Sequence, residues 1–389
     1  MKIALVMVHG RVHGHVGGAP RVFFDMANHL SFEGHEVLAV YNDSKEGSPY
    51  YEVTNKVNLK NLALPIKFKG LWLYKAFREV IRSFAKLFNT DLRLNPVTKK
   101  NQKRVGLALK SLIDDFKPDV TISYNVSDLV SLSYIEWKAR NSIVMCHTDP
   151  KRVYKGLANY ERSIWQGADF IQVLLASYKD YLSKVINTNI EVIGNVVIEH
   201  DEVNDLSAFR IIYLARIEKN KQQHLLIEAI NKIPLNVRLG WQVVLYGSCN
   251  DTEYSEFLIN KINSYNLSDV IKLKGPTGKP FEELLNSSIC AFPSAFEGFP
   301  LALTEAMSLG LPCIGFQSCS GVNELLINNY NGFLVKGVEE FALQLEVLMK
   351  SKERRSLMGS KARDSIECYS KESIYKKWKA LIENKNVIV

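Results

Sequence analysis

Residues 1–41 constrain the fold more than any other stretch. Lys2 to Val8 is an apolar run of strand length. The loop His9 to Gly18 follows, and its glycines Gly10, Gly14, Gly17 and Gly18 let the backbone approach a ligand closely. Ala19, Pro20 and Arg21 then open a helix with apolar positions at Val22, Phe23, Met26, Ala27 and Leu30, and Gly34 ends it. Glu36 to Tyr41 is a second apolar run. Strand, glycine loop, helix, strand is the opening of a doubly wound α/β sheet. The loop does not have the G-x-G-x-x-G spacing, so no dinucleotide cofactor is expected.

The chain has 389 residues, room for two domains of ordinary size. With 47% hydrophobic and 23% charged residues it has the composition of a soluble globular protein. No uncharged apolar run is long enough for a membrane-spanning helix. The opening MKIALVMVHGR is interrupted too soon for a secretory signal and reads as a first buried strand. Six cysteines are scattered without a C-x-x-C pair, which suits reduced thiols in a cytoplasmic protein. The net charge is +8, yet residues 66–110 carry twelve Lys/Arg against Glu79 and Asp91, a surplus of +10. One surface is therefore basic, and the rest of the chain is near neutral.

Within that basic segment, Leu71 to Phe88 reads as an amphipathic helix. Leu73, Phe77, Val80, Ile81, Phe84, Leu87 and Phe88 share one face, and Lys75, Arg78, Arg82 and Lys86 another. Such a helix lies on an anionic membrane surface or packs on a core with its charges in solvent. Lys99, Lys100, Lys103 and Arg104 favour the membrane. Nucleic acid is not expected, because no stacking module or helix-turn-helix accompanies the charge.

Further strands are expected at Asp119–Tyr124, Ser142–Cys146, Phe209–Ala215, Gln242–Gly247, Val270–Gly275, Ile289–Phe292 and Cys313–Phe316, and a helix over Gln222–Ile233. His147 falls just past a strand end, where doubly wound folds place ligand groups. The polar run His200 to Ser207 reads as an interdomain linker. The densest pattern is FPSAFEGFPLALTEAMSLGLP, Phe292 to Pro312. Glu297 and Glu305 stand with seven residues between them, and Gly298-Phe299-Pro300 separates a strand from a helix whose first turn suits Pro300. Gly310 and Pro312 stop that helix. Its free N–H groups and dipole make an anion site flanked by carboxylates.

EGFPLALTEAMSLGLPCI followed by NNYNGFLV resembles the E-x7-E region of the retaining family 4 glycosyltransferases, which have the GT-B architecture. GGAPRVFFDMANHLSFEGHEV resembles that family's opening, Ala168–Ser177 its "aD.iiavS" strand, and Glu191–Asn195 its "vIpNg" segment, with Gly194 where Pro is usual. The resemblance implies two Rossmann-like domains facing across a cleft, with a last helix crossing back to the first domain. The expected division is 1–199 for acceptor binding, a linker at 200–207, 208–370 for the nucleotide sugar, and 371–389 for the crossover helix.

The resemblance also implies roles. Arg216 and Lys221 would hold the donor diphosphate, Glu297 the sugar hydroxyls and Glu305 the ribose hydroxyls. His147 would contact the donor sugar. The loop at Gly17 and Gly18 would face the phosphates and acceptor. Gly247 is expected near the nucleotide, and the N–H groups of Phe299 and Leu301 near the phosphates. The implied reaction transfers a hexose-type sugar from a nucleotide-diphosphate donor with retention, in bacterial surface polysaccharide or lipopolysaccharide synthesis. The basic helix, rather than the resemblance, suggests a glycan or lipid-linked acceptor held at the membrane, and with the scattered thiols the expectation is a cytoplasmic protein peripheral on the inner membrane face. No metal is expected, since no D-x-D is placed to carry one and cations can offset the phosphate charge. Two carboxylates would also serve a glycoside hydrolase. A nucleotide-sugar epimerase of similar architecture and a glycan-binding protein without activity are the other rivals.

Overall fold

The computed structural model describes residues 1–14, 17–65, 67–88, 93–135, 139, 141–249 and 251–383. The chain forms two compact units, Met1–Ile193 with Trp378 onward, and Gly194–Lys377. Each is built on one parallel sheet.

The first unit holds strands β1 (Lys2–Met7), β2 (Glu36–Tyr41), β3 (Asn58–Asn61), β4 (Val120–Ser123), β5 (Asn141–Cys146), β6 (Phe170–Val173) and β7 (Asn189–Val192). Their spatial order is β3-β2-β1-β4-β5-β6-β7. Every pairing is parallel, with Ile3 opposite both Val37 and Val120. A parallel sheet is covered on both faces, which is why β1 and β2 are apolar runs rather than alternating ones. Helix α1 (Gly18–Phe32) buries Phe23, Phe24, Met26, Ala27 and Leu30. Helix α2 (Leu71–Leu87) is followed by α3 (Pro96–Phe116), whose Val105, Leu109 and Ile113 join Ala4, Val6, Leu38 and Val40 in one core cluster. Helix α4 (Val126–Leu132) packs against α3 at Gly106, where a Cβ would lie 2.3 Å from the carbonyl oxygen of Ser131.

The second unit holds β8 (Arg210–Leu214), β9 (Gln242–Tyr246), β10 (Ile271–Lys274), β11 (Ile289–Phe292), β12 (Cys313–Phe316) and β13 (Gly332–Val335). Their order is β10-β9-β8-β11-β12-β13, again parallel throughout. In both sheets the order reverses beside the first strand, between β1 and β4 and between β8 and β11. Loops leaving the carboxyl ends of those strands diverge and open a crevice.

The doubly wound architecture is as expected, with two local differences. The units divide at Ile193, not at 199. Residues 200–207 are mostly exposed, yet Asn204 among them is buried and its Nδ2 donates to the carbonyls of Leu284, Leu285 and Ser287 at 2.9, 2.8 and 2.6 Å. Composition suggested solvent, but one asparagine caps three backbone acceptors and ties the run to the second unit. The closing helix, Lys371–Ile382, starts in the second unit and ends in the first, where the Ile382 carbonyl accepts Asn141 Nδ2 at 3.4 Å.

Candidate active site

Glu297 lies in the loop after β11, and Arg216 and Lys221 lie in the loop after β8. These two loops flank the strand-order reversal of the second sheet, so residues distant in sequence meet. Lys221 Nζ donates to both carboxylate oxygens of Glu297, at 2.7 and 2.9 Å. The two side chains are only 13% and 12% exposed, so the pair is formed away from bulk water.

A buried relay fixes this pair. Ser294 Oγ donates to Glu297 Oε1 at 2.6 Å and meets the Tyr213 hydroxyl at 2.6 Å. The same hydroxyl lies 3.1 Å from the Lys221 carbonyl and donates to it. Tyr213 comes from β8 and Ser294 follows β11, so both loops are pinned to their own strands. Burial pushes the Tyr213 hydroxyl well above its ordinary pKa, and the Glu297 carboxylate adds to the shift. The Cys319 thiol is pushed up to about 12, by burial first and Glu297 second. Backbone bonds complete the frame: Glu297 N–H donates to the Ser320 carbonyl and Ala295 N–H to the Asn220 carbonyl, each at 2.9 Å. Gly321, at φ +85°, is demanded here, since a Cβ would stand 3.1 Å from the Glu297 carbonyl oxygen.

The helix after Glu297 runs Leu301–Ser308, with Pro300 as its N-cap rather than in its first turn. The Pro300 carbonyl accepts Leu303 and Thr304 N–H at 3.0 and 3.1 Å. The N–H groups of Leu301 and Ala302 precede these and lack intrahelical acceptors by geometry. The helix closes in a Schellman motif: Leu311 N–H bonds to the Ala306 carbonyl, Gly310 N–H to that of Met307, and Gly310 takes φ +76°. Glu305 is half-buried on this helix. The Phe299 side chain is buried edge-on against the Tyr369 ring at 5.0 Å. Gly194 fits the same packing, as its Cβ would lie 2.6 Å from Tyr369.

Arg216 is not in the buried cluster. Its side chain is 57% exposed, with the guanidinium 2.9 Å from Glu218. Gly247 has a packing reason for being glycine: a Cβ there would stand 2.0 Å from the Ala215 carbonyl oxygen. It lets the β9 loop press on the β8 loop, where Ile217 N–H donates to the Ser248 carbonyl at 2.9 Å.

In the first unit, the glycine loop after β1 is held by two carboxylates. Val8 and His9 N–H each donate to Asp128 Oδ1 at 3.0 Å. Val12 and His13 N–H each donate to Asp43 Oδ2 at 2.9 Å. Burial drives Asp128 well above the carboxylate range against those bonds. At Asp43 burial acts the same way, but backbone N–H groups outweigh it and hold the carboxyl low. Gly17 is the N-cap of α1, its carbonyl accepting Arg21 N–H at 3.2 Å and the Tyr51 hydroxyl at 3.3 Å, and Gly18 is the first helical residue. His147 follows β5 and stacks on Tyr124 with ring centroids 5.0 Å apart. Burial lowers its pKa to about 4, and its buried Nε2 has no hydrogen-bond partner among the described residues.

The sequence singled out Glu297 and Lys221, and the structure joins them. It missed Ser294, read only as a strand breaker, together with Tyr213, Asp43 and Asp128. For Ser294 a signal existed: a hydroxyl three residues before Glu297, directly after an apolar strand. No spacing rule identifies the others, because their partners are distant in sequence.

Residues 198–365 match the family model described as glycosyl transferases group 1. Among curated proteins, the amylovoran biosynthesis glycosyltransferase AmsD of Erwinia amylovora is 26% identical over 378 residues, covering 94% of this chain and 96% of that protein. The GalNAc-alpha-(1->4)-GalNAc-alpha-(1->3)-diNAcBac-PP-undecaprenol alpha-1,4-N-acetyl-D-galactosaminyltransferase of Campylobacter jejuni is 23% identical, covering 94% and 95%. Among solved structures, S. aureus TarM in complex with fondaparinux, alpha-GlcNAc-glycerol and UDP superposes with a TM-score of 0.75 at 18% identity, covering 98% and 99% of the two chains.

Proposed function

We propose that this chain, whose residues 198–365 match the model of glycosyl transferases group 1 and whose fold is GT-B, moves a hexose-type sugar from a nucleotide-diphosphate donor to an acceptor with retention of configuration. The pathway we propose is bacterial surface polysaccharide synthesis, with a glycan or lipid-linked acceptor. The names of the Erwinia and Campylobacter relatives and the UDP in the TarM complex support this reading. So does the Lys221–Glu297 pair, set beside a helix start where the sheet order reverses. That pair is the observation that carries the proposal.

The chemistry asks for groups that stabilise a departing diphosphate more than the bound donor. An ammonium has three donors. Two of those on Lys221 serve Glu297, and the third is assigned to a phosphate oxygen. Arg216, exposed on the same loop, swings from Glu218 to grip the diphosphate, a planar fork suited to two oxygens. The N–H groups of Phe299 and Leu301 add backbone donors. Glu297 accepts sugar hydroxyls and Glu305 the ribose hydroxyls. His147, neutral at physiological pH, offers Nε2 to the sugar, and the loop at Gly17 and Gly18 faces the acceptor side of the chemistry. Gly247 serves the nucleotide by positioning the Arg216 loop. With cations offsetting the phosphates, no metal is required.

A hydrolase reading fares worse. A general acid must carry a proton, whereas both Glu297 oxygens already accept hydrogen bonds from Lys221 and Ser294. The discriminating experiment offers the enzyme nucleotide sugars with and without glycan acceptors. Transfer that requires a nucleotide sugar supports the proposal, while release of free sugar from oligosaccharides without any nucleotide contradicts it.

A further inference from the structure

None of the seventeen residues of α2 is buried. Leu73, Phe77, Val80, Phe84 and Leu87 recur at helical spacing on one face, and each is between 51% and 78% exposed. Trp72 borders that stripe at 70% exposure. The helix is fastened to the first unit on another side. Lys100 of α3 sits 5.7 Å over the Tyr74 ring. Arg104 stacks 5.1 Å from Phe68 and donates to the Pro65 carbonyl at 2.7 Å. The core beneath is closed by α3, so the apolar stripe of α2 has no place in it.

The face opposite the stripe is cationic. Lys75, Arg78, Arg82 and Lys86 face only Glu79 on this helix, which both arginines contact. Exposed Lys99 and Lys103 on α3 extend the charge. Among the described residues, no helix is long and apolar enough to cross a membrane. An apolar stripe about 21 Å long, with an indole beside it and cations on the opposite face, matches the boundary between acyl chains and anionic headgroups.

We propose that α2 is a docking element by which the protein lies on an anionic lipid bilayer, with the stripe from Leu73 to Leu87 inserted among the acyl chains. A second copy of this chain is a poorer occupant, because it would bring the same surplus of cations with only Glu79 on the helix to offset them. The bilayer neutralises them instead. Each cation held at an anionic surface strengthens partition about five-fold. The proposal is independent of which sugar or acceptor the enzyme uses, and its test contains neither.

The test is flotation of the full-length protein with vesicles of phosphatidylcholine alone and of equal parts phosphatidylcholine and phosphatidylglycerol. The wild type is expected to float with the mixed vesicles and remain unbound with the neutral ones, and added salt should weaken binding. Phe77→Ser/Phe84→Ser and Lys75→Glu/Lys86→Glu alter exposed positions, so both should keep the wild-type circular dichroism and melting midpoint. Each should lose binding at least ten-fold. Three results overturn the proposal: equal flotation on neutral vesicles, no flotation on mixed vesicles, or variants that bind like the wild type. Concentration-dependent self-association abolished by Phe77→Ser/Phe84→Ser, without vesicle binding, would assign the face to a second copy. Failure here leaves donor binding by the second unit untouched, since that is measured without lipid.

Discussion

At the scale of single residues, the account rests on a carboxylate that is useful because its neighbours hold it. Glu297→Ala removes the proposed sugar acceptor and strands a largely buried ammonium. Transfer should fall by about 10²-fold or more, and stability by about 3 kcal/mol, the loss expected when one partner of a buried pair is deleted. Denaturant unfolding beside an activity assay separates the two effects. Ser294→Ala is milder. It should cost about 1–3 kcal/mol by leaving the Tyr213 hydroxyl without one partner, and it should lower transfer through a displaced Glu297. His147 gives a pH signature. Its folded pKa is about 4 against an ordinary 6.5. Above pH 6.5 it is neutral in both states and contributes no slope. As pH falls from 6.5 toward 4 the unfolded chain takes the proton first, so stability drops by up to about 1.4 kcal/mol per pH unit. His147→Asn removes that slope. The wild type should therefore lose ground to the variant across this window, read from urea midpoints at stepped pH. Parallel curves would contradict the buried, neutral imidazole.

At the scale of elements, the site depends on loops pressed together without side chains between them. Gly247→Ala forces a methyl against the Ala215 carbonyl and should destabilise the protein by about 1–3 kcal/mol or more. Gly278→Ala, which meets nothing within 4 Å, should be close to neutral. Thermal unfolding of the two variants side by side checks both. The strands β2, β11 and β12 were legible to the residue, because a strand buried on both faces is an unbroken apolar run with polar ends. The edge strand β3, Asn-Leu-Lys-Asn, carried no such signal, since an edge in solvent needs no apolar pattern. Helix α4 was silent for another reason: at seven residues it is too short to show a helical apolar period, although it buries Val126, Leu129 and Val130 beside the Asp128 that bonds Val8 and His9. The amphipathic pattern of α2 was readable, but only the packing shows that Phe77 and Phe84 face solvent rather than a core.

At the scale of the whole molecule, two parallel sheets of like topology carry different fittings. The first binds its glycine loop with Asp43 and Asp128, and the second sets Lys221 on Glu297. On the proposed function, the nucleotide sugar belongs to the second unit. Activity should then survive a chelator, because cations of the chain offset the diphosphate. Complete loss with EDTA, restored by a divalent ion, would overturn that assignment. The central claim is that Glu297 and Lys221 together hold a nucleotide-sugar donor. The most direct test is thermal unfolding of the wild type, Glu297→Gln and Lys221→Met across a panel of nucleotide sugars. At 100 times its Kd a donor adds about 2.7 kcal/mol to the folded state. One nucleotide sugar should raise the wild-type midpoint, and both variants should lose most of that rise. An equal rise in all three proteins, or none with any nucleotide sugar, would contradict the account.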